Sequence, residues 1–148
     1  MNAAVEEYPR PFQSVDDPYK DKQGYVDKSG RIVIAPKFDD AGFFSEGLAP
    51  VWVGKKCGFI DMRGRVVIQM QFDDVGTDLS YPRVGFTEGL APVKIGGKWE
   101  YIDRSGKWVI NQRFDRAEGF FLGLAQVWIG DRLGYINHAG TYVWEPTK

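Results

Sequence analysis

One phrase in this chain is written three times. Phe43-Phe44-Ser45-Glu46-Gly47-Leu48-Ala49-Pro50-Val51 returns as Phe86-Thr87-Glu88-Gly89-Leu90-Ala91-Pro92-Val93 and, reduced, as Phe121-Leu122-Gly123-Leu124-Ala125-Gln126-Val127. A second phrase occurs four times. Gly24-Tyr25-Val26-Asp27-Lys28-Ser29-Gly30 is matched by the heptads that begin at Gly58, Glu100 and Gly134, at offsets of 34, 42 and 34 residues. A fixed period of this size restricts the chain to stacked copies of one supersecondary unit, none of which can bury its apolar surface alone. The eight extra residues of the middle interval lie within Gly76 to Gly85, between Phe72-Asp73-Asp74-Val75 and Glu88-Gly89-Leu90.

Each period spells three short strands. The first is aromatic and β-branched, as in Tyr25-Val26 and Tyr101-Ile102, and runs into Asp27, Asp61, Asp103 or Asn137 with Gly30, Gly64, Gly106 or Gly140 three residues on. That spacing predicts a tight hairpin, in which the carboxylate or amide bonds the turn backbone and glycine supplies positive φ. The second strand is Arg31-Ile32-Val33-Ile34, Arg65-Val66-Val67-Ile68, Lys107-Trp108-Val109-Ile110 and Thr141-Tyr142-Val143-Trp144. Apolar residues on both of its faces predict two-sided burial. Phe38-Asp39-Asp40, Phe72-Asp73-Asp74 and Phe114-Asp115-Arg116 form a link with an aromatic plug and a turn-closing carboxylate. The third strand runs over 48–53, 90–95 and 124–129, and an internal proline at Pro50 and Pro92 places it at an edge or a bulge.

Read this way the chain is all-β, a tandem array of short antiparallel β-meanders of about 34 residues per unit. Residues 1–10 form an N-terminal tail and 11–148 a single repeat domain, with approximate units 11–44, 45–86, 87–120 and 121–148. Phe12 to Tyr19 reads as a degenerate third strand. The chain would then open with a third strand and close on a second strand at Trp144, the permuted phase with which ring-like repeats join their ends.

A chain of 148 residues buries enough surface for a core without metal or disulfide support. The lone Cys57 has no disulfide partner within the chain, and its surroundings in sequence suit a small packed thiol better than a catalytic one. Nineteen Lys and Arg against twenty Asp and Glu leave no basic footprint for nucleic acid or an anionic membrane. Apolar runs are too short for a membrane-spanning helix, and the acidic start Met1-Asn2-Ala3-Ala4-Val5-Glu6-Glu7-Tyr8 is unlike a signal peptide. The expectation is a cytoplasmic chain or an excised piece of a larger one.

The pattern Gly-Tyr-Ile-Asp-x-x-Gly-Lys-x-Val-Ile, then Phe-Asp-x-Ala, then Phe-x-Glu-Gly-Leu-Ala-Pro-Val resembles the WG-repeat (KWG) family, found mainly in bacterial proteins. The resemblance covers about Gln23 to Trp144. It implies an all-β repeat array, often joined to other domains, that serves as an interaction module with no reaction attributed to the repeat. The Trp of the family name stands only at Trp99, followed here by Glu100, while Gln23, Cys57 and Leu133 hold the matching places. Those departures mark the position as a packing site.

Chemical constellations are wanting. The sequence has no Gly-x-Gly-x-x-Gly, no Walker loop, no Cys-x-x-Cys and no His pair at ligand spacing, so no catalytic residue, metal site or cofactor is assigned. His138 falls in a hairpin turn, and the paired Asp39-Asp40 and Asp73-Asp74 recur once per unit as turn formers do. What every unit shares is scaffold, so candidate sites lie where units differ. One is the excess within Gly76 to Gly85, which offers Leu79, Tyr81 and Arg83 on a loop. The other is the middle of the third strand, where Trp52 and Trp128 fall at equivalent positions with Lys94 between them. These residues read as anchors for a protein partner or an adjoining domain. Aromatics at 15% also suit stacking on sugar rings, the carbohydrate or cell-wall alternative. An enzyme ranks third, because nothing supplies a nucleophile with its base.

Overall fold

A computed structural model describes residues 8–16, 18–76 and 85–145. Every element among them is a strand or a turn, and the strands form four antiparallel meanders in chain order. The first holds β1 (Arg10–Gln13), β2 (Gln23–Val26) and β3 (Ile32–Phe38). The second holds β4 (Asp40–Ala41), β5 (Ala49–Val53), β6 (Lys56–Ile60) and β7 (Val66–Phe72). β8 (Asp74–Val75), β9 (Leu90–Ile95), β10 (Lys98–Asp103) and β11 (Trp108–Phe114) make the third. β12 (Arg116–Ala117), β13 (Ala125–Ile129), β14 (Arg132–Ile136) and β15 (Tyr142–Trp144) make the fourth.

The expected hairpin chemistry is present. Asp27 Oδ1 accepts the amide hydrogens of Ser29 at 2.9 Å and Arg31 at 3.0 Å, and Gly30 takes φ 86°. Asp61, Asp103 and Asn137 repeat the arrangement in the other three sheets. The Asp27 carboxyl falls to about 2, chiefly through the Ser29 hydroxyl and then the Arg31 amide.

Sheets change over at a single residue, Asp39, Asp73 or Asp115, ahead of the unit boundaries drawn from the sequence at 44, 86 and 120. Asp39 bonds the Lys22 ammonium, just before β2 of the first sheet, and accepts the Gly54 amide hydrogen, in the β5–β6 turn of the second, at 2.6 Å. Asp73 joins Lys56 to Gly96, and Asp115 joins Lys98 to Gly130, in the same way. The link residue is thus a strap between consecutive sheets, and in all three the lysine ammonium does most to hold the carboxyl below its usual range.

Three core clusters fill the spaces between consecutive sheets. Tyr25, Ile34 and Phe38 meet Phe44, Ala49, Val51 and Ile60 in the first; Cys57, Phe59, Ile68 and Phe72 meet Phe86, Ala91, Val93 and Ile102 in the second. Trp99, Tyr101, Ile110 and Phe114 meet Phe120, Ala125, Val127 and Ile136 in the third. Each inner sheet therefore has an upstream face and a downstream face, both buried. An aromatic pair marks every junction, with ring centroids 5.0 Å apart for Tyr25 and Phe44, 4.8 Å for Phe59 and Phe86, and 5.2 Å for Tyr101 and Phe120.

Four sequence expectations need correcting. The ends do not complete each other's unit: β1 pairs with β2, and no core cluster among the described residues joins the first sheet to the fourth. The degenerate strand exists, but it is Arg10–Gln13 rather than Phe12 to Tyr19, and its register sets Pro11 opposite Tyr25 as Pro50 is opposite Phe59 and Pro92 opposite Tyr101. A longer connection before Gln23 hides this proline from a fixed 34-residue offset.

The proline strand is interior, between a two-residue neighbour and a full one. Pro50 lies just past the end of β4, where its carbonyl still accepts the Gly42 amide hydrogen at 2.7 Å. The Gly42 carbonyl, which a proline cannot supply with a hydrogen, is taken by Tyr25 Oη at 2.7 Å. Finally, β3, β7 and β11 are edge strands buried at Ile34, Ile68 and Ile110, while Ile32, Val33, Val66, Val67, Trp108 and Val109 stay exposed. Two-sided burial fails because these residues lie at the open hairpin end of an edge strand, beyond the area that the neighbouring sheets cover.

Candidate functional site

The repeated phrase itself builds the contact between sheets. Ser45 and Leu48 exchange backbone hydrogen bonds around Glu46 and Gly47, both in the left-handed region at φ 56° and 80°. Thr87 to Leu90 and Phe121 to Leu124 form the same turn. Phe121 therefore holds the place of Ser45 and Thr87, while Phe120, in the core, holds that of Phe44 and Phe86. The phrase's opening phenylalanine is thus Phe120, where the sequence reading took Phe121, while the strand that follows keeps the register read from the sequence.

From the turn, each inner unit reaches its downstream neighbour. Glu46 accepts the Gly89 amide hydrogen at 3.0 Å, Glu88 accepts that of Gly123 at 3.0 Å, and the Ser45 hydroxyl donates to the Phe86 carbonyl at 2.7 Å. At the upstream end the Tyr8 hydroxyl accepts from the Gly47 amide at 3.2 Å, and its ring stacks on Phe44. Tyr8 thus substitutes for the glutamate of a preceding unit. Glu88 takes a further hydrogen bond of 2.8 Å with His138 Nε2, and this contact does most to lower its carboxyl.

At the other end the pattern is left open. By strand register, Leu124, Leu133, Tyr135 and Trp144 occupy the positions of Leu90, Trp99, Tyr101 and Ile110, which the third sheet buries beneath the fourth. With no sheet beyond it among the described residues, the fourth exposes 48% of Trp144, against 2% for Ile110. Phe121 and Leu122 stand where inner units carry Ser or Thr and Glu, and they are 75% and 81% exposed. The downstream face of the last sheet is therefore apolar and aromatic, with Tyr135 and Trp144 rings 5.7 Å apart. Gln126 Nε2 donates to Tyr135 Oη at 3.0 Å, and the Arg116 guanidinium lies 4.5 Å over the Trp128 ring.

Of the residues singled out in the sequence, Trp128 belongs to this face, half-buried in the middle of β13. Trp52, its equivalent in β5, is partly buried against the core cluster between the second and third sheets. Lys94 holds the same register opposite Trp99. Leu79, Tyr81 and Arg83 lie outside the described residues, whose nearest members, Gly76 and Gly85, are buried. Sequence reasoning missed Leu122, Leu133, Tyr135 and Trp144. Their signal was present as departures from the repeat, but which face each residue occupies follows only from the strand register.

The fold defines a class, the tandem array of short antiparallel β-meanders, in which no sheet covers the downstream face of the fourth among the described residues. The model of the WG containing repeat matches residues 24–57, 58–99 and 101–131, most of the chain, and the protein belongs to that family. The first match, 24–57, covers β2 and β3 of one sheet and β4 and β5 of the next, so the sequence repeat straddles the strap at Asp39. No curated protein matches the chain.

Proposed function

We propose that the protein is a non-catalytic interaction module and that the downstream face of its fourth sheet receives a protein partner or an adjoining domain. The observation that carries the reading is the exposure of Leu122, Leu124 and Trp144 at positions where inner units either bury an apolar residue or carry glutamate. A fourth sheet whose downstream face met only water would present polar residues there. An apolar and aromatic surface with Arg116 at its β12 edge fits a protein interface, in which aromatic anchors sit inside a polar margin.

Carbohydrate stacking is less well served. Sugar rings need a flat open aromatic face, whereas the guanidinium of Arg116 occupies one face of Trp128 and the Tyr135 and Trp144 rings are tilted by 49°.

The test is site-specific photo-crosslinking in the native host, with the reactive group at Trp144 and, as control, at Val33 on the exposed edge of β3. A discrete protein adduct from position 144 and none from 33 supports the reading. A glycan-array hit quenching tryptophan fluorescence, without protein adducts, replaces it with the carbohydrate one.

A further inference from the structure

We infer that the fourth sheet is a hinged cover on the apolar downstream face of the third, swinging about Asp115 and latched where Glu88 meets His138. It opens more readily than the junction between the second and third sheets. β11 ends at Phe114 and β12 begins at Arg116, so Asp115 alone joins the two sheets. Its carboxylate bonds the Lys98 ammonium and accepts the Gly130 amide hydrogen at 2.6 Å, which ties the sheets at the end of β13 next to Gly130. At the other end of β13, Glu88 accepts the Gly123 amide hydrogen at 3.0 Å and meets His138 Nε2 at 2.8 Å. A tied end and a surface contact at opposite ends of one five-residue strand make a hinge and a latch.

The junction between the second and third sheets has the same parts, a strap at Asp73 and the Glu46–Gly89 bond, and two differences separate the pair. There the Ser45 hydroxyl donates to the Phe86 carbonyl at 2.7 Å, from one sheet to the next. Thr87 holds the place of Ser45, yet its hydroxyl is, among the described residues, a buried side-chain group without a hydrogen-bond partner. Its oxygen is turned toward Gly119, 3.1 Å from where a Cβ there would stand. Such a group has given up water without a bond in return, which is costly. What the downstream junction gains is the Glu88–His138 contact, whose side chains are 30% and 49% exposed, a setting in which an ion pair returns little. The loss outweighs the gain, so the third–fourth junction is the weaker. Each core cluster joins consecutive sheets only, so this junction parts without the other and whatever follows β15. Opening uncovers Trp99, Tyr101, Ile110 and Phe114 of the third sheet, an aromatic surface closed to solvent while the latch holds.

Thiol labelling of the full chain tests the inference, since a buried cysteine reacts only when its junction opens. Ala125 and Ala91 are equivalent buried alanines, the first between the third and fourth sheets and the second between the second and third. Ala125→Cys and Ala91→Cys are compared under native conditions with a disulfide reagent, the labelled position being read by peptide mass, and Cys57 serves in both as an internal control. Position 125 should label at least about tenfold faster than position 91. Thr87→Ser, which restores the hydroxyl seen at Ser45, should slow position 125 at least about threefold and leave 91 unchanged. His138→Ala, which removes the latch, should quicken position 125 alone. If Ala125→Cys lowers the melting temperature, Ala117→Cys in the same junction takes its place, with the same expected responses. Labelling at 125 no faster than at 91 overturns the inference. So does a Thr87→Ser chain that leaves 125 unchanged, or a His138→Ala effect that is absent or shared by position 91.

Discussion

Glu46, at a φ of 56° that side-chain-bearing residues seldom adopt, accepts the amide hydrogen of Gly89 in the next sheet at 3.0 Å. The backbone strain and the bond belong together, because the left-handed turn carries the carboxylate to its partner. Glu46→Ala should keep the strain and lose the bond, at a cost of about 1–2 kcal/mol. Glu46→Gly loses the bond and relieves the strain, so its loss should be smaller. Urea unfolding of the two variants gives the order, and a glycine variant less stable than the alanine one would contradict it. Leu122, at φ 52° in the fourth unit, meets no further sheet among the described residues, and its replacement by glycine should stabilise the chain.

Acid should loosen the stack at its straps. Asp39, Asp73 and Asp115 are held below the usual carboxylate range, first by a lysine ammonium and then by a glycine amide from the next sheet. A folded-state pKa below the unfolded one contributes stability that is complete above about pH 5 and is withdrawn as pH falls below about 4 toward the folded value. Melting temperature should therefore fall between about pH 5 and pH 2.5. Asp73→Asn should flatten that fall, since one of the three titrating straps is gone, while lowering stability at neutral pH. A variant whose pH profile parallels the parent would show that the strap contributes nothing to the linkage.

What could be read from the sequence was what is local. Asp27 and Gly30 lie within one turn, so their spacing specifies the hairpin, and the three-stranded reading of each period follows from it. Asp39 was read as another turn former, because its partners Lys22 and Gly54 lie 17 and 15 residues away in different sheets. Pro50 suggested an edge; the strand is interior, but its neighbour β4 stops one residue short of needing the missing amide. Val33 and Val67 suited strands well enough to be mistaken for buried residues, since β-branched side chains favour a pleated backbone whether or not a second layer covers them. The bare face was hardest to see. Leu133 and Trp144 are unremarkable apolar residues until register sets them level with Trp99 and Ile110, which are covered.

Cys57 offers a probe of the junction between the second and third sheets. It is fully buried, and its thiol donates to the Phe72 carbonyl at 3.4 Å. A thiol so placed reacts only when the junction opens. Labelling by a disulfide reagent should be slow for the native chain and fast in denaturant. Asp73→Ala, which cuts the strap between those two sheets, should accelerate it at least about tenfold; Asp115→Ala, one junction away, should do so less. Equal acceleration by both would mean that the sheets open as one cooperative block.

The packing of one unit on the next can be isolated at a single atom. Gly30 and Gly140 occupy the same place in equivalent turns, at φ 86° and 82°. A Cβ at Gly30 would meet nothing within 4 Å, whereas one at Gly140 would lie 2.8 Å from Ile110 in the preceding sheet. Both alanine variants incur the left-handed penalty of about 1 kcal/mol. Only Gly140→Ala must also displace a buried side chain, adding roughly 1–3 kcal/mol. Gly64 and Gly106 grade the effect, since their added carbons would lie 3.1 Å from Ile34 and 3.5 Å from Ile68. Stability should therefore fall in the order Gly30→Ala, Gly106→Ala, Gly64→Ala, Gly140→Ala. Combining Gly140→Ala with Ile110→Val, which thins the side chain it strikes, should recover part of the loss, although the smaller core residue alone destabilises. If the four alanine variants prove equally stable, the glycines serve their turns alone and the sheets stack without them.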